Sequence, residues 1–106
     1  MKAQFEVRYT DAAREDLLRL FDFLLERART IEDFDAAQAA IEALRNAVQS
    51  HLSRTPFIYR KAGDSAFVRE LIIPFASAGY VALFEIEGAH TVTILAVRHQ
   101  LEDDYH

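Results

Sequence analysis

The chain predicts an α+β fold in a single domain spanning residues 1–106, with a helical hairpin packed on a mostly antiparallel four-stranded sheet. Three observations carry this. A short alternating stretch opens the chain, two helix-period stretches joined by a tight link follow, and the C-terminal part reads as three consecutive strands. The order is strand, helix, helix, strand, strand, strand, and periodicity alone does not fix how the strands are arranged in the sheet.

Each element has its own warrant. From Gln4 to Thr10, Phe5, Val7 and Tyr9 alternate with Glu6 and Arg8, the period of a half-buried strand. Thr10 or Asp11 can then cap a helix, because their side-chain oxygens accept from free N–H groups of the first turn. That helix is expected from about Asp11 to Ala28. Ala13, Leu17, Leu20, Phe21, Leu24 and Ala28 form one apolar face; Leu18 and Leu25 add a second stripe, and Phe23 widens it. An apolar surface this broad is buried on two sides or covered by a partner.

The link Arg29-Thr30-Ile31 is short, and Thr30 with Asp33 forms a capping-box pattern for a second helix reaching about Leu52. Phe34, Ala37, Ile41, Leu44 and Val48 make a narrow seam, and the alanines around it favour helix and close approach. So short a link requires antiparallel packing. Arg54 to Ser65 is expected as loop, with Pro56 stopping the helix and Gly63-Asp64 turning. Three strands follow: Phe67 to Pro74, ended by Pro74; Gly79 to Ile86, after a turn at Ala76-Ser77-Ala78-Gly79; and Thr91 to Gln100, after a hairpin turn at Gly88.

Hydrophobic residues make up 51% of the chain, enough for a core and too many for a disordered segment. Cysteine is absent, which excludes disulfide and thiol chemistry and fits a cytoplasmic location. The first residues carry charges before any apolar signal core, and no stretch has the length and apolarity of a membrane span. The net charge of −5 is poor for a protein that grips nucleic acid through phosphates. Its distribution is uneven: Asp11, Glu15, Asp16, Asp22, Glu26, Glu32, Asp33, Asp35 and Glu42 crowd the first half, while Arg54, Arg60, Lys61 and Arg69 cluster after it with only Asp64 among them.

The residues able to do chemistry are Arg54, Tyr59, Arg60, Lys61, Arg69, Arg98, His99, Tyr105 and His106. Arginines at strand ends can fork around a phosphate, and His or Tyr can move protons in RNA cleavage; residue types alone favour the plainer reading of solvated surface cations. Arg69 alternates onto the face of Phe67, Leu71 and Ile73, where a charge needs a partner or a groove. Its two readings are an ion pair, with Glu70 or Glu85, and a functional role. The tail His99–His106 has metal-ligand residue types but no recognised ligand spacing, so neither a metal site nor a cofactor is expected. No Gly-rich phosphate loop, Ser-His-Asp pattern or Cys nucleophile is present.

The element order resembles the RelE/ParE superfamily of bacterial toxins. The same resemblance lies in Val7-Arg8-Tyr9-Thr10-Asp11-Ala12-Ala13-Arg14-Glu15-Asp16-Leu17, Val68-Arg69-Glu70-Leu71, Gly79-Tyr80-Val81-Ala82-Leu83-Phe84 and Ile94-Leu95-Ala96-Val97-Arg98-His99-Gln100. The last segment is similar to the Arg-His ending of ParE-like plasmid-stabilisation proteins. The resemblance implies the toxin of a type II toxin–antitoxin pair, bound by an antitoxin whose C-terminal segment wraps the hairpin and sheet, with Leu18, Phe23 and Leu25 as anchors, in a hetero-oligomer.

Two activities divide the superfamily. ParE-like members poison DNA gyrase without catalysis of their own, which would make Arg60, Lys61, Arg69, Arg98 and His99 target contacts. RelE-like members cut mRNA on the ribosome; Arg69 and Arg98 would then stabilise the transition state, and His99, Tyr105 or His106 would act as acid or base. The chain departs from the RelE-like pattern in having Val81 after Tyr80, only Lys61 with three arginines near the pre-strand loop, and an acidic balance. Tyr105-His106 is similar, in reversed order, to the ends of YoeB-like nucleases, and Arg69 fits both groups. A toxin fold that only binds its partner is the third alternative.

Overall fold

The computed structural model describes residues 4–75 and 78–100. Strand β1 (Glu6–Tyr9) leads into helix α1 (Asp11–Glu26) and helix α2 (Ile31–Leu52). A 3-10 turn at Pro56–Ile58 precedes strand β2 (Arg60–Lys61), and strands β3 (Val68–Phe75), β4 (Ala78–Glu87) and β5 (Thr91–His99) complete the sheet. The sheet has five strands in the order β1-β5-β4-β3-β2. Only β1 runs parallel to its neighbour, β5; every other pair is antiparallel. The α+β class and the helical hairpin match the sequence reading, and the strand count rises from four to five.

The additional strand is β2, which falls inside the expected loop. Arg60 pairs with Glu70 and Lys61 with Arg69, and a two-residue strand is too short to leave a period in the sequence. Helix α1 starts where expected, with the Thr10 hydroxyl accepting from the Ala13 N–H at 3.0 Å. It ends two residues earlier than predicted, as the Arg27 and Ala28 N–H groups tighten back onto Leu24 and Leu25. The capping box of α2 forms in full: the Thr30 hydroxyl accepts from the Asp33 N–H at 3.1 Å, and the Asp33 carboxylate accepts from the Thr30 and Arg29 N–H groups at 3.3 and 2.9 Å.

Pro74 does not end β3, which continues through Phe75. β2 covers β3 only at Arg69 and Glu70, so the side of Pro74 away from β4 carries no ladder, and a missing N–H there costs no strand bond. Gly79, expected where the turn passes into the strand, belongs to β4; a Cβ on it would lie 2.7 Å from the Ile73 carbonyl oxygen and 2.7 Å from Gln100 Oε1. Gly88 does turn the β4–β5 hairpin, with φ of 66°.

The core lies between the hairpin and one face of the sheet. Ala13, Leu20, Leu44, Val48 and Leu52 pack against Leu71, Phe84, Val92 and Ile94, all buried. Phe34, predicted in the seam of α2, is instead 49% exposed, and Ala40 and Leu52 extend the seam. No helix of the described residues is long and apolar enough to cross a membrane.

Candidate functional site

A bulge in β5 decides which way the strand-end residues face. Leu83 pairs with Ala96 but Phe84 with Ile94, leaving Leu95 as the extra residue. Ile94 and Val97 therefore both reach the core side, and the register beyond makes Tyr80 the partner of His99 and Val81 the partner of Arg98. Successive residues point to opposite faces. His99 thus lies on the hairpin side, its ring edge-on to Tyr80 at 5.7 Å, while Arg98 lies on the other face.

The backbone at this bulge is held by α1 and its cap. β1 pairs with β5 only as far as Ile94; beyond it, the Thr10 hydroxyl donates to the Leu95 carbonyl at 3.2 Å. The buried Asp16 carboxylate accepts from the Val97 N–H at 2.8 Å, and Arg19 donates to the Val97 carbonyl at 3.3 Å. Asp16 counts in the sequence as one more acid of a solvated helix, yet it is 7% exposed. Its position in the motif ending Asp16-Leu17 is the one signal that could have marked it.

His99 and Tyr80 line a groove of about 320 Å³ under the linked end of the hairpin, together with Leu24, Arg27, Ala37 and Phe75. Burial pushes the Tyr80 hydroxyl above the usual tyrosine range. Arg98 donates to the carbonyls of His99 and Gln100 at 3.3 and 3.4 Å.

Arg69 meets backbone carbonyls where the sequence suggested an ion pair with Glu70 or Glu85. Its Nε donates to the Ala66 carbonyl at 2.9 Å, and its Nη1 donates to the carbonyls of Phe57 and Tyr59 at 3.0 and 2.7 Å. The guanidinium also lies 5.6 Å over the Phe57 ring. Glu70, one of the expected ion-pair partners, takes Arg60 instead, at 2.8 Å. Lys61 is exposed beside Arg69 in the register. The predicted target set is therefore divided. Arg60, Lys61 and Arg69 stand at the β2–β3 end, Arg98 and His99 at the end of β5 on opposite faces, and their β4 partners Phe84 and Tyr80 are four positions apart, roughly 13 Å of strand. Tyr105 and His106 lie outside the described residues. No group of three or more His, Asp or Glu among the described residues is placed to hold a metal ion.

A second, larger groove of about 640 Å³ runs along the hairpin. Leu17, Leu18 and Phe21 of α1 and Ile41 of α2 supply its apolar wall, and Tyr9, Arg14, Gln38, Glu42 and Arg45 its polar rim. Of the three predicted anchors it includes Leu18, which is 63% exposed. Phe23 stands apart with the Arg27 guanidinium stacked 4.4 Å over its ring, and Leu25 is half-buried outside the groove. Burial pushes the Tyr9 hydroxyl up, and the charge of Arg45 partly opposes this.

The fold has known counterparts. The family model for the ParE toxin of type II toxin–antitoxin systems, parDE, matches residues 7–104. The chain belongs to the ParE toxin family. Among solved structures, a chain of the chromosomal ParDE toxin–antitoxin system from P. aeruginosa is similar in fold, with a TM-score of 0.69 at 18% identity, covering 90% of this chain and 95% of that one. No curated protein matches. For a ParE-family toxin, the hairpin groove and the divided strand-end cationic set are the two surfaces that need a role.

Proposed function

We propose that this ParE-family toxin inhibits DNA gyrase by binding it and is neutralised by a cognate antitoxin seated in the hairpin groove. The observation that carries the target half is the division of Arg69, Arg98 and His99, the candidate catalytic residues among the described ones. Arg69 directs its Nε and Nη1 to three carbonyls, and Arg98 and His99 face opposite sides of the sheet. A nuclease needs transition-state donors and proton carriers converging on one phosphate, and these residues do not converge. A binding protein has no such requirement, so the arrangement favours inhibition by contact over RelE-like cleavage of mRNA on the ribosome.

The antitoxin half rests on the groove itself. Leu17, Leu18, Phe21 and Ile41 offer an apolar floor between charged rims, the geometry that receives the apolar face of an amphipathic segment. The reading implies a cytoplasmic protein in a hetero-oligomer with its antitoxin. One purified batch tests the target: added to gyrase with plasmid DNA it blocks supercoiling, and added to translating ribosomes it leaves mRNA intact. Ribosome-dependent cuts with normal supercoiling reverse the reading. Leu18→Glu places a charge in the groove and weakens antitoxin binding while gyrase inhibition stays.

A further inference from the structure

Arg69 does more than satisfy itself. One guanidinium donates to the carbonyls of Phe57, Tyr59 and Ala66, so the segments 57–59 and 66–67, distinct stretches of the loop, are fixed side by side. Tyr59 is drawn inward, its ring edge-on to buried Phe84 at 6.3 Å. Phe57 is braced by Phe5 at 6.3 Å and by the Arg69 charge over its ring. What remains outside is an apolar surface: Phe57 50%, Ile58 72% and Phe67 52% exposed. Clustered large apolar side chains held in place on a surface mark an interaction site.

The surroundings identify the chemistry of its occupant. Between Arg54 and Arg69 the only acid is Asp64, on a chain of net charge −5. Arg60 is engaged by Glu70, whereas Arg54 and Lys61 are exposed and free to meet carboxylates from outside. Two such cations are few for a nucleic-acid backbone, and Ile58, the most exposed of the three apolar residues, has no π face on which a base could stack. A second copy docking through the same patch would bring the same two cations from both copies into one isologous contact. We propose that the Phe57–Ile58–Phe67 surface, fixed by Arg69 and flanked along the chain by the exposed Arg54 and Lys61, docks an acidic, apolar segment of the toxin's protein target. It shares no residue with the lining of the hairpin groove. The assignment rests on the reading that gyrase is the target.

The test uses the full chain in a gyrase supercoiling assay, with antitoxin affinity and sedimentation measured on the same samples. Ile58→Asp and the double charge reversal Arg54→Glu/Lys61→Glu change exposed side chains, and thermal melts verify that both variants fold. Each raises the toxin concentration needed for half-inhibition by about tenfold or more, the scale of losing one interface anchor, with antitoxin affinity unchanged. Inhibition equal to wild type in both variants overturns the patch and leaves the gyrase reading standing. Wild-type protein that fails to inhibit gyrase overturns the reading and the patch together. Loss of antitoxin affinity in Ile58→Asp assigns the surface to the antitoxin, and a wild-type dimer that Ile58→Asp dissociates assigns it to a second copy; either result overturns the proposal.

Discussion

Asp16 shows how one side chain can set the geometry of a whole strand end. Past Tyr9, β1 no longer covers β5, and the Val97 N–H would be buried without an acceptor if Asp16 did not reach it at 2.8 Å. Asp16→Ala leaves that N–H unsatisfied, and urea denaturation is expected to show a loss of about 1–3 kcal/mol. Asp16→Asn keeps an acceptor oxygen and loses less, the difference reporting the charge that Arg19 meets at 3.6 Å. A buried carboxylate replaced by Ala at no cost would mean that Thr10 and Arg19 hold the bulge without it. Arg69 makes the complementary case. Its fork spans carbonyls of two loop segments, and Arg69→Lys keeps the charge but not the fork. Backbone amides of residues 57–67 should then exchange faster with solvent, while those of buried α2 and β4 keep wild-type protection.

At the scale of elements, what was legible in the sequence was what is local. Thr30 and Asp33 are three residues apart, so the start of α2 could be read from the chain, and both halves of the capping box form. The end of β3 could not, because whether Pro74 stops a strand depends on which side of it carries a neighbour, and that is a property of the sheet. Gly79 is the same lesson from the other side. Its sequence context suggests a turn, but the reason for glycine there is the Ile73 carbonyl and the Gln100 side chain, each 2.7 Å from where a Cβ would sit. The glutamine side chain can move and the strand carbonyl cannot move without cost. Gly79→Ala should therefore destabilise the protein by about 1–3 kcal/mol, the range for overpacking, visible as a lower thermal midpoint. An unchanged midpoint would mean that β3 and β4 separate there freely.

For the molecule as a whole, the fold class followed from periodicity, but the site did not, because one bulged residue lies between the two. Plain alternation along β5 groups Ile94, Ala96 and Arg98; with Leu95 bulged, Ile94 shares its face with Val97 and His99 instead. Tyr80 comes to lie against His99 for that reason, and Tyr9 closes the opposite end of the helix–sheet layer, in the hairpin groove. Both tyrosines have ionisation raised by burial, Tyr9 with partial opposition from Arg45. The consequence for stability has a definite sign. A tyrosine freed by unfolding loses its proton near its ordinary value of about 10, below the point at which the folded protein releases it. The unfolded state then binds fewer protons, so the contribution is complete below about pH 10 and is lost as pH rises through the folded value. Urea denaturation in alkaline buffers should show stability falling above about pH 10, less steeply in Tyr80→Phe, which has no hydroxyl to ionise. The comparison between the two proteins cancels the lysines that titrate in the same range. Identical slopes would mean that Tyr80 ionises as readily in the fold as out of it, and that the groove beside His99 is open to water at the hydroxyl.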